Sequence, residues 1–240
     1  MIKVDVSIII TCFKKEKYLE ELINSILQNT VQPKEIILVH DGCEEGMAYR
    51  GCTTIILDEN LGVAKARDVG VTNSTGHFLL FLDGDDKIAP DYIEKAIKVD
   101  TDIAYCDILG WHDHEHSASG RHNYIWVVPR RLTLDQMWGH CRIVVSSLMT
   151  RKVYDELGGF RTMDKFEDWD FWLRAMAKGF NFKKFDSLFY YRQTSGTRNQ
   201  CTKEEQRKAF NKVKSGFIYK KGGNGEKSTI KEINFNGKTK

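Results

Sequence analysis

The sequence predicts an α/β domain with a mostly parallel, Rossmann-like central sheet and helices on both faces. Three observations point there. Short, largely β-branched apolar runs recur at Val4–Thr11, Glu35–Val39, Thr53–Leu57 and His77–Leu82. Helical spacing occupies intervening segments at Lys17–Asn29 and Val63–Val71. Each apolar run gives way to a polar or acidic residue, as at Thr11, Asp41, Asp58 and Asp83. Continuous apolar runs suit strands buried on both faces, and their alternation with helices is the doubly wound pattern. Ligands of such sheets bind beyond the carboxyl ends of the strands, so Thr11, Asp41 and Asp83 are expected to converge there.

Each element has a local cause. The β-branched run VDVSIIIT makes the first strand, and Leu19, Leu22, Ile23, Ile26 and Leu27 give the first helix its apolar face. Pro33 breaks the chain before strand two, which ends in His40-Asp41-Gly42, and strand three leads into Asp58-Glu59-Asn60-Leu61-Gly62. Ser74-Thr75-Gly76 turns the chain into strand four. The second half is less regular. Pro90–Val99 reads as a helix, Ile103–Leu109 as a strand, Trp111–His122 as a polar His-rich loop, and Tyr124–Val128 and Ile143–Met149 as strands. Lys152–Leu157 is a short helix stopped by Gly158-Gly159, and Phe166–Lys178 an amphipathic helix closed by Gly179 at C′. Phe182–Phe185 and Leu188–Tyr191 read as paired short strands, and Glu204–Tyr219 as a last helix. Residues 220–240 lose periodicity. The expectation is one domain over 1–220 and a mobile basic tail over 221–240.

With 240 residues, 41% hydrophobic and 29% charged, the composition is that of a soluble globular protein with one sizeable core. No apolar run approaches the ~20 residues of a membrane span, and the N-terminus enters a strand without a signal-peptide pattern. Six scattered cysteines without paired spacing read as reduced thiols, so the expected compartment is the cytoplasm. The net charge of +3 hides an asymmetry: residues 203–240 carry 11 Lys/Arg against 4 Asp/Glu. A basic end of this kind can meet a polyanion such as nucleic acid, or an acidic membrane surface peripherally; more commonly it is a solvated helix and a loose end.

Three groups of residues carry chemistry. Asp83-Gly84-Asp85-Asp86 crowds carboxylates at a strand end, where they repel unless a cation intervenes; oxygen ligands of this kind suit Mg²⁺ or Mn²⁺. The plainer alternative is a solvated acidic turn capping the next helix. Asn60-Leu-Gly-Val-Ala-Lys-Ala-Arg67 is a helix start whose Lys65 and Arg67 can reach an anion. Glu167 and Asp168 open an acidic helix; taken alone, such charges are worth ~0.3–1 kcal/mol against the helix dipole.

Together these motifs resemble the GT-A-fold glycosyltransferases of the family 2 group. The resemblance spans roughly residues 4–195 and rests on VSIIITCF, ILVHDG, NLGVAKARDVG, FLLFLDGDD, LGGF, EDWDFWLRAMAKG and YYR in this order. Lys14-Lys15, where smaller or polar residues are usual, and Asp68, where Asn is commoner, depart from the pattern. The resemblance implies a donor half over about 1–110, an acceptor half over about 111–220, and metal-dependent, inverting transfer from a nucleotide sugar, UDP-linked by family habit. It implies that Asp41 accepts from the nucleobase, Thr11 lies under that base, Asp83 binds the ribose and Asp85 holds Mn²⁺ or Mg²⁺. Arg67 is expected near the nucleotide, and Arg192 or Arg198 near the donor phosphates. Asp168 is expected as general base, with Glu167 as runner-up.

Other candidates are weaker. His112, His114 and His116 alternate as a zinc ligand set would, but their acidic neighbours favour a solvated or acceptor loop. Trp169 and Trp172 read as core or acceptor wall, and His140 as an acceptor-side or structural histidine. A sugar-1-phosphate nucleotidyltransferase would need a glycine-rich phosphate loop where this chain has Thr11-Cys-Phe-Lys-Lys. A silent nucleotide- or glycan-binding module has no chemical need for Asp41, Asp83, Asp85 and Asp168 together. The favoured acceptor is a saccharide hydroxyl, with a polyanion such as modified DNA as the second option.

Overall fold

The computed structural model describes residues 2–43, 47–111, 123–192, 202–223 and 226–233. The amino-terminal half is built from β1 (Lys3–Cys12), α1 (Glu16–Leu27), β2 (Gln32–Asp41), β3 (Thr53–Leu57), α2 (Val63–Thr72) and β4 (Phe78–Asp83). β5 (Lys87–Ile88), α3 (Tyr92–Ile97), β6 (Ile103–Trp111), β7 (Tyr124–Trp126), α4 (Leu134–Gly139) and β8 (Leu148–Thr150) follow. The chain continues through α5 (Arg151–Leu157), α6 (Glu167–Ala177), β9 (Phe182–Arg192), α7 (Lys203–Lys214), β10 (Phe217–Lys220) and β11 (Thr229–Glu232).

The main sheet has the order β3-β2-β1-β4-β8-β6-β9-β5, with β7 paired to β6. β1 to β4 are mutually parallel, as are β6 and β9, whereas β8, β5 and β7 pair antiparallel with their neighbours. The expected α/β class with a mostly parallel sheet is what the chain adopts. Val6, Ile8, Ile9 and Ile10 of β1 are fully buried, as a central strand covered on both faces requires. Register then places the site: Thr11 pairs with Asp83, and Cys12 with His40, one residue before Asp41. α2 packs on β1 and β2 through Gly70, where an added Cβ would lie 2.3 Å from the Ile9 side chain.

Several elements depart from the sequence expectations. Ile143–Met149 is not one strand: Ser147 Oγ donates to the Val144 carbonyl at 3.0 Å, folding a turn, and only Leu148–Thr150 is extended in the sheet. The two short strands after Gly179 form one strand, β9, whose pairing with β6 shifts register between Tyr105 and Asp107. The last helix stops at Lys214, because β10 begins at Phe217 and pairs with β11. The tail expected to be mobile therefore contains a packed strand: Ile230 is buried, and Glu232 pairs with Arg161. α4 escaped the sequence reading although Thr133 and Gln136 form a capping box at its start. The His112–His116 loop and Arg198 lie outside the described residues.

Candidate active site

One cleft of about 710 Å³ opens across the carboxyl ends of β1, β2 and β4 and the amino end of α6. Thr11, Asp41, Arg67, Asp83, Asp85, Glu167, Asp168 and Arg192 all line it, within the volume range usual for small-molecule sites. The structure thus gathers these eight sequence-predicted residues, while Arg198 and the His112–His116 set lie outside the described residues.

Their individual environments differ from one another. Asp41 is buried, and its two carboxylate oxygens accept the backbone N–H groups of Leu61 (2.7 Å) and Gly62 (3.0 Å), while its carbonyl accepts from Asn60 Nδ2 (3.2 Å). It clamps the entry to α2 against the end of β2. Gly42 makes this possible: its φ is +79°, and a Cβ there would lie 2.4 Å from the Asn60 nitrogen. Thr11 Oγ1 lies 3.4 Å from Asp83 Oδ1.

The Asp83-Gly-Asp-Asp turn relieves its own charge repulsion with side chains. Asp83 accepts from Arg67 at 3.0 Å, and Asp85 pairs with Lys15 at 2.8 Å. Asp86 turns inward, where it accepts the Arg192 backbone N–H at 3.0 Å; burial, then the neighbouring Asp85 and Asp83 charges, raises its carboxyl well above the usual range. Lys15, one of the two departures from the family pattern at this turn, is thus part of the site. Sequence reasoning noticed the residue without assigning it a partner.

Arg67 is fully buried and joins the two halves of the cleft. One guanidinium nitrogen donates to Asp83 Oδ1 and the other to Glu167 Oε1, both at 3.0 Å, and the group lies 5.0 Å from the Phe160 ring centroid. Arg192 is also committed within the protein: Nε donates to the Asp85 carbonyl at 2.9 Å, its other end pairs with Glu21, and it lies over Tyr18 and Trp111. Glu21, which also pairs with Lys87, was not identified from the sequence.

α6 starts from an unusual residue. Phe166, just before the helix, has φ +64°, and a non-glycine residue there carries a cost of about 1–2 kcal/mol. That turn presents Glu167 and Asp168 to the cleft while Trp169 is driven into the core, its Nε1 donating to the Met137 carbonyl at 2.6 Å. Trp172 is also core. The Asp168 carboxyl is pushed up to about 7, by burial first and the Glu167 charge second, against the lowering influence of Arg67. Its Oδ1 also accepts the Trp169 N–H at 2.8 Å. A carboxyl poised near neutrality beside a cleft is the property of a general base. His140 lies at the rim near Trp126 and Phe210.

Oxygen donors at a strand end fit a hard divalent cation, which typically takes one or two protein carboxylates and leaves its other positions to phosphate and water. Asp85, whose carboxylate faces the cleft beside Asp83, has the chemistry for this, with Lys15 as the partner it would exchange.

The Glycosyl transferase family 2 model matches residues 7–158. The chain belongs to glycosyl transferase family 2. Among relatives, the glycosyltransferase YwdF of Bacillus subtilis is 29% identical over 220 residues, covering 85% of this chain and 81% of YwdF. Glycosyltransferase GlyA of Streptococcus pneumoniae is 30% identical over 122 residues, 46% of this chain but only 18% of GlyA. Among solved structures, S. aureus TarS residues 1–349 in complex with UDP-GlcNAc superposes with a TM-score of 0.62 at 18% identity. That match covers 87% of this chain and 64% of the TarS chain, and at this identity it speaks to the fold, which is GT-A. Family membership makes the chain a glycosyltransferase. Among the described residues, no helix is long and apolar enough to cross a membrane.

Proposed function

We propose that this chain transfers a sugar from a UDP-linked donor to a saccharide hydroxyl with inversion at the anomeric carbon. The observation that carries the reading is the Asp83–Arg67–Glu167 bridge, which ties the strand end expected to hold the donor to the helix bearing Asp168. The TarS structure with UDP-GlcNAc supports a UDP-sugar as the donor class.

In this reading Thr11 and Asp83 hold the nucleoside, and Asp41 shapes the pocket by fixing the loop at Asn60-Leu61-Gly62. Asp85 would hold Mn²⁺ or Mg²⁺, which supplies charge neutralisation for the departing diphosphate when bound. Lys15 adds a second positive charge at that end of the cleft. Asp168 accepts the proton of the acceptor hydroxyl as its oxygen attacks the anomeric carbon, and the bond to the diphosphate oxygen breaks on the opposite side. General-base help of this kind is worth typically ~10²–10⁴-fold. Arg67 holds Glu167 in place beside the base.

A thermal-shift screen of nucleotide sugars with and without Mn²⁺ tests the donor, since a ligand that binds only the folded state raises its melting temperature. The expected result is a metal-dependent shift with a UDP-sugar, release of UDP on adding saccharide acceptors, and an inverted anomer by NMR. In variants, Asp168→Asn should abolish transfer with donor binding nearly intact, whereas Asp85→Asn should also weaken metal-dependent donor binding. Near-normal transfer by Asp168→Asn would remove the base assignment, and metal-independent nucleotide binding without turnover would favour a binding module.

A further inference from the structure

Behind the end of β1 lies a second cluster that the transfer reaction does not use. Cys12 Sγ, a Glu16 carboxylate oxygen and a His40 ring nitrogen lie within 4.8 Å of one another. Among the described residues they are the one group of three or more His, Cys and carboxylate side chains spaced to hold a metal ion. β-sheet register makes the pair Cys12–His40, because the two residues face each other across β1 and β2. Lys14, at φ +55°, turns the chain sharply so that Glu16, the first residue of α1, comes back over Cys12. Cys43 adds a further thiol, its Sγ 2.8 Å from Glu16 Oε1.

His40 decides the chemistry. The residue is fully buried, and its Nε2 lies 3.2 Å from the Met47 carbonyl. A carbonyl only accepts, so Nε2 is the donor in that hydrogen bond. Nδ1 is buried and has no hydrogen-bond partner. A buried polar ring nitrogen without a partner costs about 1–3 kcal/mol unless a ligand meets it. A neutral imidazole with its far N–H held by a carbonyl is the form that binds metals, the carbonyl fixing the tautomer and ring. Thiolate, imidazole and carboxylate together suit Zn²⁺ rather than the oxygen-seeking Mg²⁺ or Mn²⁺.

We propose that Cys12, Glu16 and His40 form a three-residue zinc site beneath the cleft, its remaining position left to water. The ion ties the β1–α1 turn to the end of β2, and so fixes the backbone on either side of Thr11 and Asp41. Cys12 binds as the thiolate and releases its proton to solvent. The site is separate from any cation at Asp85, whose ligands are oxygens.

The test uses the full chain, stripped with EDTA, dialysed and titrated with Zn²⁺ against a chromogenic chelator, and in parallel with Co²⁺. The expected result is one equivalent of tightly held Zn²⁺, a thiolate-to-cobalt charge-transfer band with the strong visible bands of tetrahedral Co²⁺, and a higher melting temperature. Cys12→Ser and His40→Gln should each weaken Zn²⁺ binding by more than the ~10–100-fold that loss of an outer partner produces. Cys52→Ser and Asp85→Asn should retain it. Should the Cys12 or His40 variant fail to fold, the wild-type cobalt spectrum still decides. A wild-type spectrum without thiolate bands overturns the proposal, as does stoichiometric Zn²⁺ binding that survives loss of Cys12 and His40 or is lost only with Asp85→Asn.

Discussion

Replacing Arg67 with methionine removes the guanidinium that joins Asp83 of β4 to Glu167 of α6 while keeping most of the side-chain volume. Glu167 Oε1 and Asp83 Oδ1 each lose a 3.0 Å partner. The two carboxylates will respond differently. The Asp83 side chain is 39% exposed and can recruit water, whereas that of Glu167 is 7% exposed and has little access to it. Removing one member of a buried ion pair costs about 3–5 kcal/mol, mostly as the penalty on the orphaned charge. At about 2–4 °C per kcal/mol for a domain of this size, the melting temperature should fall by about 6–20 °C. Urea denaturation gives the free energy directly. The decisive control is Arg67→Met combined with Glu167→Gln, which neutralises the buried carboxylate and should recover more than half of the loss, because an uncharged pair of similar volume is well tolerated. A single-variant loss below about 1 kcal/mol, or a double variant that recovers nothing, would refute the buried-bridge account.

Because the Asp168 carboxyl is raised to about 7 by burial and by Glu167, and a general base must be ionised, kcat/KM for transfer should climb as pH rises through about 7 and level off above it. A profile flat from about pH 5 to 8 would count against Asp168 as the base. Gly70→Ala would place a Cβ 2.3 Å from Ile9 in the fully buried centre of the sheet, and overpacking of this kind should cost about 1–3 kcal/mol in urea melts. Ile230→Ala tests whether the chain end is packed: Ile230 is 8% exposed, and the loss should be about 2 kcal/mol or more. An unchanged melting temperature would mean that β11 contributes nothing to the fold.

Much of the donor half is legible from local pattern. Four β-branched runs ending in polar residues, with helices between them, dictate a doubly wound sheet, and that topology alone sends Thr11, Asp41 and Asp83 to one edge. The acidic start of α6 is equally visible. The second half resists such reading because its elements are short and stabilised at a distance. β8 is three residues long and held between β4 and β6, and β11 exists because Phe217–Lys220 offers it a partner. A strand made by its neighbours leaves little trace in its own sequence.

The chemistry divides in the same way. Sequence order names the carboxylates, since strand ends and helix starts are local features. How each is charged depends on what lies beside it across the fold. Arg67 meets Glu167 across a separation of 100 residues. Asp86 turns inward to a backbone N–H from Arg192, and Asp168 is raised by burial first and by the Glu167 charge that folding sets beside it. Cys12 and His40 make the point most plainly. Nothing in their spacing along the chain marks a pair, and it is the register of two parallel strands that sets the Cys12 thiol beside the His40 ring. Residue types and their periodicity thus establish the sheet, its ligand edge and the acids that line it. Distance, burial and register set how each of those acids is partnered and which side chains stand together, because these depend on contacts between segments that the linear order keeps apart.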